Sequence, residues 1–486
     1  MSAKICLIIE GSYPYVSGGV ASWAHQLIAG LSEYEFEIVA LRAKEEEGLQ
    51  PLYTLAPNVK ALHHIYLGDA VKKPLFTPRK LSVKNEVLAA LSDFPELSSF
   101  EPLAKAFYAT KNKQKLKQEI VYSLDAYEMI EAAYGGFALV GKSFLDFFWN
   151  IRSLYLGVSN VMLSNIPKAD IYHTVSTGYA GIYAAFCKIN NPDSKMILTE
   201  HGIYTRERNM EVCLSAWPDI DKDAYLPEDG IGIYKNLWQA SFKAMSTVCY
   251  KNAEKIISLH GKNNQIQIKE GADPAKVSTI RNGVDLSMFA YRDRMSMSAP
   301  AVIGFLGRVV KIKDVKTFIR AADIVLKKYP DTIFLIAGPF DEDKEYFDEC
   351  QKVVELLGLD GKLNFLGKTP SKEFFDKIDL MILTSLSEGQ PLVISEAAGC
   401  GAPCVATDVG GCKEMIEGGE GDDIGVAGLL TPSSNPSATA DAIMFMIENP
   451  DFYAKCSENA RTRAQKFYDE KTLFTEYRRV YGELLG

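Results

Sequence analysis

The sequence predicts an α/β protein made of two doubly wound domains, and three observations lead to this prediction. Its 486 residues exceed the length that a single hydrophobic core usually serves. Short apolar runs recur in both halves, each followed by a turn and a longer helical pattern. These runs are continuous rather than alternating, which is typical of strands buried on both faces of a parallel sheet.

The apolar runs fall into two groups along the chain. The first group lies at residues 4–11, 35–41, 169–176, 195–202 and 253–260, and the second at 301–308, 332–339, 362–368, 378–385, 402–408 and 425–432. Strands that alternate with helices form βαβ units. Each half is therefore expected to form its own Rossmann-like sheet.

A segment of mixed charge marks the expected boundary between the halves. Residues 286–300, LSMFAYRDRMSMSAP, end in a proline just before a new strand. We expect an N-terminal domain at 1–290 with a mostly helical insertion at about 42–165, and a C-terminal domain at 301–465. The last helix, 466–486, is expected to cross back to the first domain.

Composition excludes several classes of protein. A net charge of −9 argues against non-specific binding of nucleic acid, which needs a basic surface. The nine cysteines are scattered without a CxxC pair, so free thiols in a reducing cytosol are expected rather than a zinc site. The apolar run at the N-terminus is broken by Glu10, and charges interrupt residues 137–163. These patterns favour a cytoplasmic protein over a secreted or membrane-spanning one.

Two loops of the first half carry candidate site residues, because open parallel sheets bind ligands beyond the carboxyl ends of their strands. Gly18 and Gly19 precede the first helix, where bare amides favour an anion. The loop lacks the GxGxxG spacing of a dinucleotide site, which counts against a dehydrogenase. His201 follows another strand in TEHGIYTRER, a loop dense in charged residues. We expect both loops to contact a ligand.

Two loops of the second half carry paired charges. Arg308 and Lys313 lie in FLGRVVKIKDV, where they could neutralise a diphosphate, with Lys311 as the alternative position for the second cation. Glu388 and Glu396 straddle the turn of EGQPLVISE, and ionised carboxylates suit the hydroxyl pairs of sugars. Between them lie the residues whose amides are expected to face the anion at a helix start: Gly389, Gln390, Pro391 (which has no amide hydrogen of its own) and Leu392.

An acidic triplet, DED at 341–343, superficially resembles a metal-binding DxD motif. It lies in a second-half loop that is dense in acids. We therefore expect a solvated acidic loop there, and no metal site.

The motifs GRVVKIKD and EGQPLVISEAAGCGAPCVATDVGGCKE, with two acids in E-x7-E spacing, resemble glycosyltransferase family 4. RNGVD at 281–285 resembles that family's inter-domain segment, and EGSYPYVSGGVASWAHQLI and TEHGIYTRER resemble its PelF-type members of bacterial Pel exopolysaccharide biosynthesis. The resemblance implies the GT-B fold, two Rossmann-like domains facing a cleft. It also implies transfer with retention of anomeric configuration.

The resemblance also implies roles for the candidate residues. Glu388 would contact the donor hexose and Glu396 the nucleotide ribose. Arg308 and Lys313 would hold the diphosphate, with help from the amides of 389–392 and the Gly18-Gly19 loop, and His201 matches the family's histidine near the donor sugar. Gln390 departs from the aromatic or small residue often found at its position.

The implied activity is transfer of a hexose from a UDP-sugar, UDP-glucose in particular, to a polysaccharide or another hydroxyl acceptor. No metal or other cofactor is expected. The implied partners are the UDP-sugar donor, a carbohydrate acceptor and an inner-membrane polysaccharide synthase complex, which the protein would meet from the cytoplasm. The alternatives are a nucleotide-sugar epimerase of the same fold and a non-catalytic UDP-sugar-binding subunit of such a complex.

Overall fold

The computed structural model describes residues 2–46, 48–68, 71, 72, 74, 76, 80–82, 97–136, 143–214 and 233–486. The chain divides into two compact units. The first comprises residues 1–258, 264–278 and 480–486, and the second comprises residues 259–263 and 279–479. Part of the predicted helical insertion lies outside the described residues.

The first unit is built on a seven-stranded sheet of order β3-β2-β1-β4-β5-β6-β7. Its strands are β1 (Lys4–Glu10), β2 (Glu35–Arg42), β3 (Val59–Tyr66), β4 (Ile171–Thr174), β5 (Lys195–Glu200), β6 (Lys255–Ser258) and β7 (Val277–Thr279). Strand β1 pairs with β2 and β4, β2 with β3, β4 with β5, and β5 with β6, and all five pairings are parallel. Residues 5–9 of the central strand β1 are fully buried, as the continuous apolar run predicts.

Helices cover this sheet and form the inserted region. The described helices of the first unit are α1 (Gly19–Gly30), α2 (Phe100–Ala109), α3 (Lys113–Tyr122), α4 (Leu124–Gly136), α5 (Phe144–Met162), α6 (Tyr179–Asn190), α7 (Tyr204–Leu214), α8 (Ile233–Asn252) and most of α9 (Gly261–Lys269), whose first three residues belong to the second unit. One core cluster joins residues of α2 and α5 to the sheet and to α6, so the insertion shares the core of this unit.

Strand β3 corrects the predicted extent of the insertion. Residues 59–66, VKALHHIY, lie inside the range expected to be mostly helical, yet they form a strand that pairs with residues 36–42 of β2. The strand lies at the edge of the sheet and most of its side chains are partly or fully exposed, so it lacks a continuous apolar run. Because the strand contains polar residues, the pattern typical of buried strands does not predict it.

The second unit contains a six-stranded parallel sheet of order β10-β9-β8-β11-β12-β13. The strands are β8 (Val302–Leu306), β9 (Ile333–Ala337), β10 (Leu363–Gly367), β11 (Leu380–Leu383), β12 (Cys404–Thr407) and β13 (Gly428–Thr431). The remaining helices are α10 (Val315–Lys328), α11 (Lys344–Leu357), α12 (Ser371–Phe375), α13 (Leu392–Gly399), α14 (Cys412–Glu417), α15 (Pro436–Glu448), α16 (Pro450–Phe467) and α17 (Glu470–Leu485).

The carboxyl ends of the strands carry the predicted site loops. Glu10 and Glu200 are the last residues of β1 and β5, Arg308 lies two residues after β8, and Glu388 follows β11. Two parallel Rossmann-like sheets are thus confirmed. In each unit, the candidate residues lie at the edge where such sheets bind ligands.

The last seven residues, 480–486, belong to the first unit. There Tyr481 is fully buried, and its hydroxyl lies 2.7 Å from His173 Nδ1. Eight of the nine cysteine side chains are buried, and Cys213 is exposed. Within the described ranges, no helix combines the length and the apolarity needed to cross a membrane.

Candidate active site

A lysine and a glutamate from different loops meet at the carboxyl edge of the second sheet. Lys313 ends a short 3-10 helix, Lys311–Lys313, and its Nζ lies 2.5 Å from Glu388 Oε1. Both side chains are mostly buried, whereas Lys311 is exposed. Charge-assisted hydrogen bonds of this kind are roughly twice as strong as neutral ones. The structure therefore brings two predicted site residues together, and its geometry favours Lys313 over Lys311.

Hydroxyl groups at the start of the Glu388 loop hold both partners. Thr384 Oγ1 donates to the backbone oxygen of Lys313 at 3.1 Å and to that of Asp314 at 3.0 Å. Ser385 Oγ donates to Glu388 Oε1 at 2.6 Å. Supporting hydrogen bonds of this kind fix the side chains of a site in one geometry. The segment TSLSE thus pre-organises the ion pair.

Gly410 lets a neighbouring loop pack against the backbone of Glu388. Its φ is +54°, and a Cβ atom there would lie 1.8 Å from Glu388 O. Gly411 N donates to Gly389 O at 2.7 Å. Only glycine combines a positive φ with so close an approach without strain. The glycine pair after β12 therefore fixes the path of residues 388–389.

The side chain of Gln390 pairs with the backbone of Asn282, 108 positions earlier. Its Nε2 donates to Asn282 O and its Oε1 accepts from Asn282 N, both at 2.9 Å. Both residues are buried. The amide side chain thus joins the RNGVD segment to the site loop. This contact is a physical reason for glutamine where the resembling family often has an aromatic or small residue.

Helix α13 begins at Leu392, and Pro391 is its N-cap residue rather than a residue of its first turn. The N-cap position leaves the first amides of the helix without a side-chain cap. Unpaired amides and the helix dipole favour an anion at this end. The predicted anion contact at residues 389–392 is compatible with this arrangement and stays a prediction.

Glu396 lies on the second turn of α13 and is partly buried. Burial raises the pKa of its carboxyl group to about 7. Among the described residues, no donor lies within hydrogen-bond distance of this carboxyl group. Partial desolvation of a carboxylate without a partner is unfavourable, and groups whose pKa is shifted in this way are concentrated at functional sites.

Arg308 forms an ion pair with Glu342 and takes no part in the Lys313–Glu388 contact. Its Nη1 lies 2.5 Å from Glu342 Oε1, and both side chains are about half exposed. Asp343, the next acid, is the N-cap of α11 and accepts a hydrogen bond from Tyr346 N at 3.1 Å. The acidic triplet at 341–343 is therefore more than a solvated loop, because two of its three carboxylates have partners in the protein.

A second glycine positions the backbone of Arg308. Gly338, after β9, has a φ of +137°, and a Cβ atom there would lie 2.0 Å from Gly307 O. A side chain at this position would push the Gly307-Arg308 turn away from the sheet. The glycine of the AGP sequence is therefore required for the present position of Arg308.

In the first unit, His201 is buried against Trp23. The two ring centroids are 4.7 Å apart in an edge-on arrangement. Burial lowers the pKa of His201 to about 3, so the imidazole is neutral near pH 7. Its Nε2 atom is buried and has no hydrogen-bond partner among the described residues. This nitrogen is therefore an unsatisfied buried atom, and the contact of His201 with a ligand stays a prediction.

The acids Glu10 and Glu200, the last residues of β1 and β5, have structural partners. Glu200 accepts hydrogen bonds from Tyr204 N, Tyr250 Oη and Gln267 Nε2, each at 3.0 Å. Burial raises the pKa of this carboxyl group to about 7. Glu10, at the end of β1, accepts from Tyr204 Oη at 3.2 Å. Glu200 therefore anchors the helix that follows His201.

Sequence reasoning did not single out Trp23, which packs against His201, or Glu10, which ends β1. Glu10 accepts a hydrogen bond from Ala180 N at 3.2 Å and lies 3.8 Å from Arg208 Nη2. Its position as the last residue of β1 was a usable signal, because strand ends line the ligand edge. Trp23, four residues into α1, carried no comparable signal.

The glycine pair of the first loop leaves open space at the start of α1. Gly18 is the N-cap residue and makes no side-chain hydrogen bond. A Cβ atom at Gly18 or Gly19 would meet no atom of the described residues within 4 Å. Both glycines are exposed, so the space beside this helix start is open, and the anion contact there stays a prediction.

Two known protein families match this chain, and the two matches meet near the boundary between its two units. Residues 3–275 match the family described as a domain of unknown function (DUF3492). Residues 294–463 match the family described as glycosyl transferases group 1. The second match contains Arg308, Lys313, Glu388 and Glu396, and the first contains His201.

Individual relatives agree with these matches. D-inositol 3-phosphate glycosyltransferase of Kribbella flavida is 30% identical over 220 residues, which are 42% of this chain and 50% of the relative. The chain thus spans about half the length of the curated relatives it matches. Among solved structures, Anabaena HepE in complex with UDP and glucose has a TM-score of 0.59 at 16% identity, covering 99% of both chains. Sucrose-phosphate synthase of Thermosynechococcus elongatus has a TM-score of 0.60 at 15% identity, again covering 99% of both. The fold is therefore that of the GT-B glycosyltransferases.

Proposed function

Because the chain belongs to the DUF3492 family and carries a glycosyl transferases group 1 domain, we propose that it transfers a hexose from a UDP-sugar to a hydroxyl group of a carbohydrate acceptor. The observation that carries the proposal is the Lys313–Glu388 pair, held 2.5 Å apart at the carboxyl edge of the second sheet. A cation for a diphosphate and an acceptor for sugar hydroxyls are the two groups that a nucleotide-sugar site needs.

Leaving-group stabilisation is the central step of the proposed mechanism. Negative charge grows on the diphosphate as the bond to the anomeric carbon breaks. Lys313 and Arg308 supply fixed positive charge, and the amides at the start of α13 add oriented dipoles. Such pre-organised groups act most strongly on the transition state, where the charge is largest.

Retention of configuration follows from attack on the face from which the diphosphate departs. The acceptor oxygen forms a bond to the anomeric carbon while the bond to the diphosphate oxygen breaks. The acceptor proton passes to that departing oxygen, so the step needs no protein nucleophile. Neutral His201 would hold a sugar hydroxyl through its free Nε2, and Glu396 would hold the ribose.

We assign no metal to this step. Arg308 and Lys313 provide two cations, which match the charge that a diphosphate brings. Within the acidic triplet, Glu342 is engaged by Arg308 and Asp343 caps α11. Those two carboxylates have structural roles that a metal site would have to displace.

UDP-glucose is the proposed donor, and a Pel-type exopolysaccharide the proposed product. A structure of the same fold, Anabaena HepE, is in complex with UDP and glucose, which supports a UDP-sugar. The N-terminal motifs EGSYPYVSGGVASWAHQLI and TEHGIYTRER support the PelF-type assignment. Such an enzyme would work in the cytoplasm beside an inner-membrane synthase complex.

The test is a product assay with UDP-glucose in the presence and absence of oligosaccharide acceptors. The proposal predicts UDP release together with a glycosylated acceptor, and loss of both in Lys313→Gln. Conversion of UDP-glucose to another UDP-sugar without acceptor would establish an epimerase instead. Binding of UDP-glucose without turnover, with every acceptor tried, would establish a non-catalytic subunit.

A further inference from the structure

A separate polar cavity of about 210 Å³ lies in the first unit at the carboxyl end of the edge strand β3. The end of β3 forms one wall, the start of α3 another, and the end of α5 a third. None of the residues that line this β3 cavity has been given a role above. It is smaller than the roughly 300–1,000 Å³ of pockets for drug-sized ligands, so it suits a single sugar ring or one charged group.

Two lysines give the β3 cavity its charge. Lys113 and Lys117 are one helical turn apart on α3, and both line the cavity. Lys113 Nζ donates to Ser164 O and Asn165 Oδ1, both at 3.1 Å. No carboxylate of the described residues lies within 4 Å of either ammonium group, and none of the described lining residues is acidic. Two cations without a counter-charge form a site for an anion.

Asn160 adds a requirement for a hydrogen-bond donor. Its side chain is 6% exposed, and its Nδ2 donates to Leu67 O at 2.8 Å. Its Oδ1 is buried and has no partner among the described residues. A buried acceptor left without a donor is destabilising. A ligand hydroxyl in the cavity would supply the missing donor.

These two requirements define the ligand class. A small carboxylate could pair with a lysine but would offer no donor to Asn160, and a lone phosphate, although it carries a P–OH near neutral pH, would leave much of the 210 Å³ cavity unfilled. A neutral sugar could satisfy Asn160 but would leave Lys113 and Lys117 without a counter-ion. We propose that the β3 cavity binds an anionic sugar, one that carries a phosphate or a carboxylate together with free hydroxyl groups.

The cavity is also connected to the predicted ligand loop after β1. His64, in the cavity wall, has its Nε2 2.7 Å from Tyr15 Oη. Tyr15 lies three residues before Gly18, and the Arg42 guanidinium lies over its ring at 4.8 Å. The anionic sugar would therefore bind at the same edge of the sheet as the Gly18-Gly19 loop. This inference does not depend on the proposed transfer reaction.

The test measures binding of glucose 6-phosphate, glucuronate, inorganic phosphate and glucose to the full chain by calorimetry. Lys117→Gln removes one cation of the β3 cavity, and Lys111→Gln removes an exposed lysine outside it. Lys313→Gln serves as the control for the second unit, so a sugar phosphate that occupies the proposed donor site is recognised. Thermal unfolding verifies that each variant is folded.

We expect glucose 6-phosphate or glucuronate to bind more tightly than phosphate or glucose. Lys117→Gln should weaken that binding about tenfold or more, because ionic hydrogen bonds are the stronger class, while Lys111→Gln and Lys313→Gln leave it unchanged. The better of the two acidic sugars identifies the anion. Binding insensitive to Lys117, equal binding of neutral glucose, or binding lost only in Lys313→Gln would overturn the proposal. So would a lack of binding by all four compounds at millimolar concentration.

Discussion

Lys313 Nζ lies 2.5 Å from Glu388 Oε1 across 75 positions of sequence. The same carboxylate oxygen accepts a hydrogen bond from Ser385 Oγ at 2.6 Å. One loop thus supplies the cation, another supplies the carboxylate, and the surrounding hydroxyls fix both. In the proposed mechanism, the donor takes over these two groups, the diphosphate on Lys313 and the sugar hydroxyls on Glu388.

Replacing Glu388 with glutamine should separate sugar handling from nucleotide binding. Glu388→Gln keeps the shape but removes the charge that would hold the sugar in the transition state. We expect the transfer rate to fall about 100-fold or more, with the affinity for UDP changed only slightly. Rates from UDP-glucose and calorimetric Kd values for UDP measure the two effects. Glu417→Gln, an exposed site on α14, is the matched control. If the affinity for UDP fell to the same extent as the transfer rate, the assignment of Glu388 to the donor sugar would be wrong.

Glu396 should make donor binding depend on pH. Burial raises the pKa of its carboxyl group to about 7, and ribose hydroxyls donate best to the ionised form. Binding therefore competes with protonation, and the affinity for UDP-glucose should rise as the pH increases from 6 to 8. Titrations at pH 6, 7 and 8 test this rise. Glu396→Gln should bind more weakly and show a flatter profile. The same slope in both proteins would assign the pH dependence to another group.

His201 should contribute to stability in a pH-dependent way. Burial lowers its pKa to about 3, below the ~6.5 of an exposed imidazole. The stabilisation is therefore fully present above pH 6.5 and is lost as the pH falls from 6.5 toward 3. Relative to His201→Gln, the wild type should lose about 1.4 kcal/mol of unfolding free energy per pH unit in this window. Urea unfolding at pH 7, 6, 5 and 4 measures the difference. Parallel curves would show that His201 is not buried as a neutral group.

The Gln390 side chain should protect the backbone of Asn282. Asn282 N donates to Gln390 Oε1 at 2.9 Å, so Gln390→Ala would leave both backbone groups without this partner. We expect faster hydrogen exchange at the Asn282 amide and a loss of about 1–3 kcal/mol of stability. Gln390→Glu, which keeps an acceptor oxygen, is the conservative control and should retain more protection. Unchanged exchange in Gln390→Ala would contradict the pairing.

The sequence was sufficient to predict the two parallel sheets, and it identified loops at their carboxyl edges as candidate sites. Apolar runs identified the central strands, and the rule that strand ends bind ligands led to His201, Arg308 and Glu388. It failed at β3, because an exposed edge strand such as VKALHHIY has no continuous apolar run. Periodicity shows which local segments are buried, and edge strands are buried least.

The partners of individual side chains could not be predicted from the sequence, for a different reason. Gln390 meets Asn282 across 108 positions, and Arg308 meets Glu342 across 34. No local pattern encodes contacts that depend on how loops of different strands converge. The motifs therefore predicted candidate site residues, and the structure shows which residues these side chains contact.

The central claim is that the second unit binds the donor through its diphosphate, and calorimetric titration with UDP, GDP and ADP tests it most directly. Arg308 is paired only at the surface, where ion pairs contribute about 0–1 kcal/mol, so a diphosphate can displace Glu342. UDP-selective binding that persists in EDTA is expected. Arg308→Ala should weaken it by about 1–3 kcal/mol, while Glu342→Gln should leave it equal or slightly tighter. Binding of no nucleotide, or binding that Arg308→Ala leaves unchanged, would contradict the account.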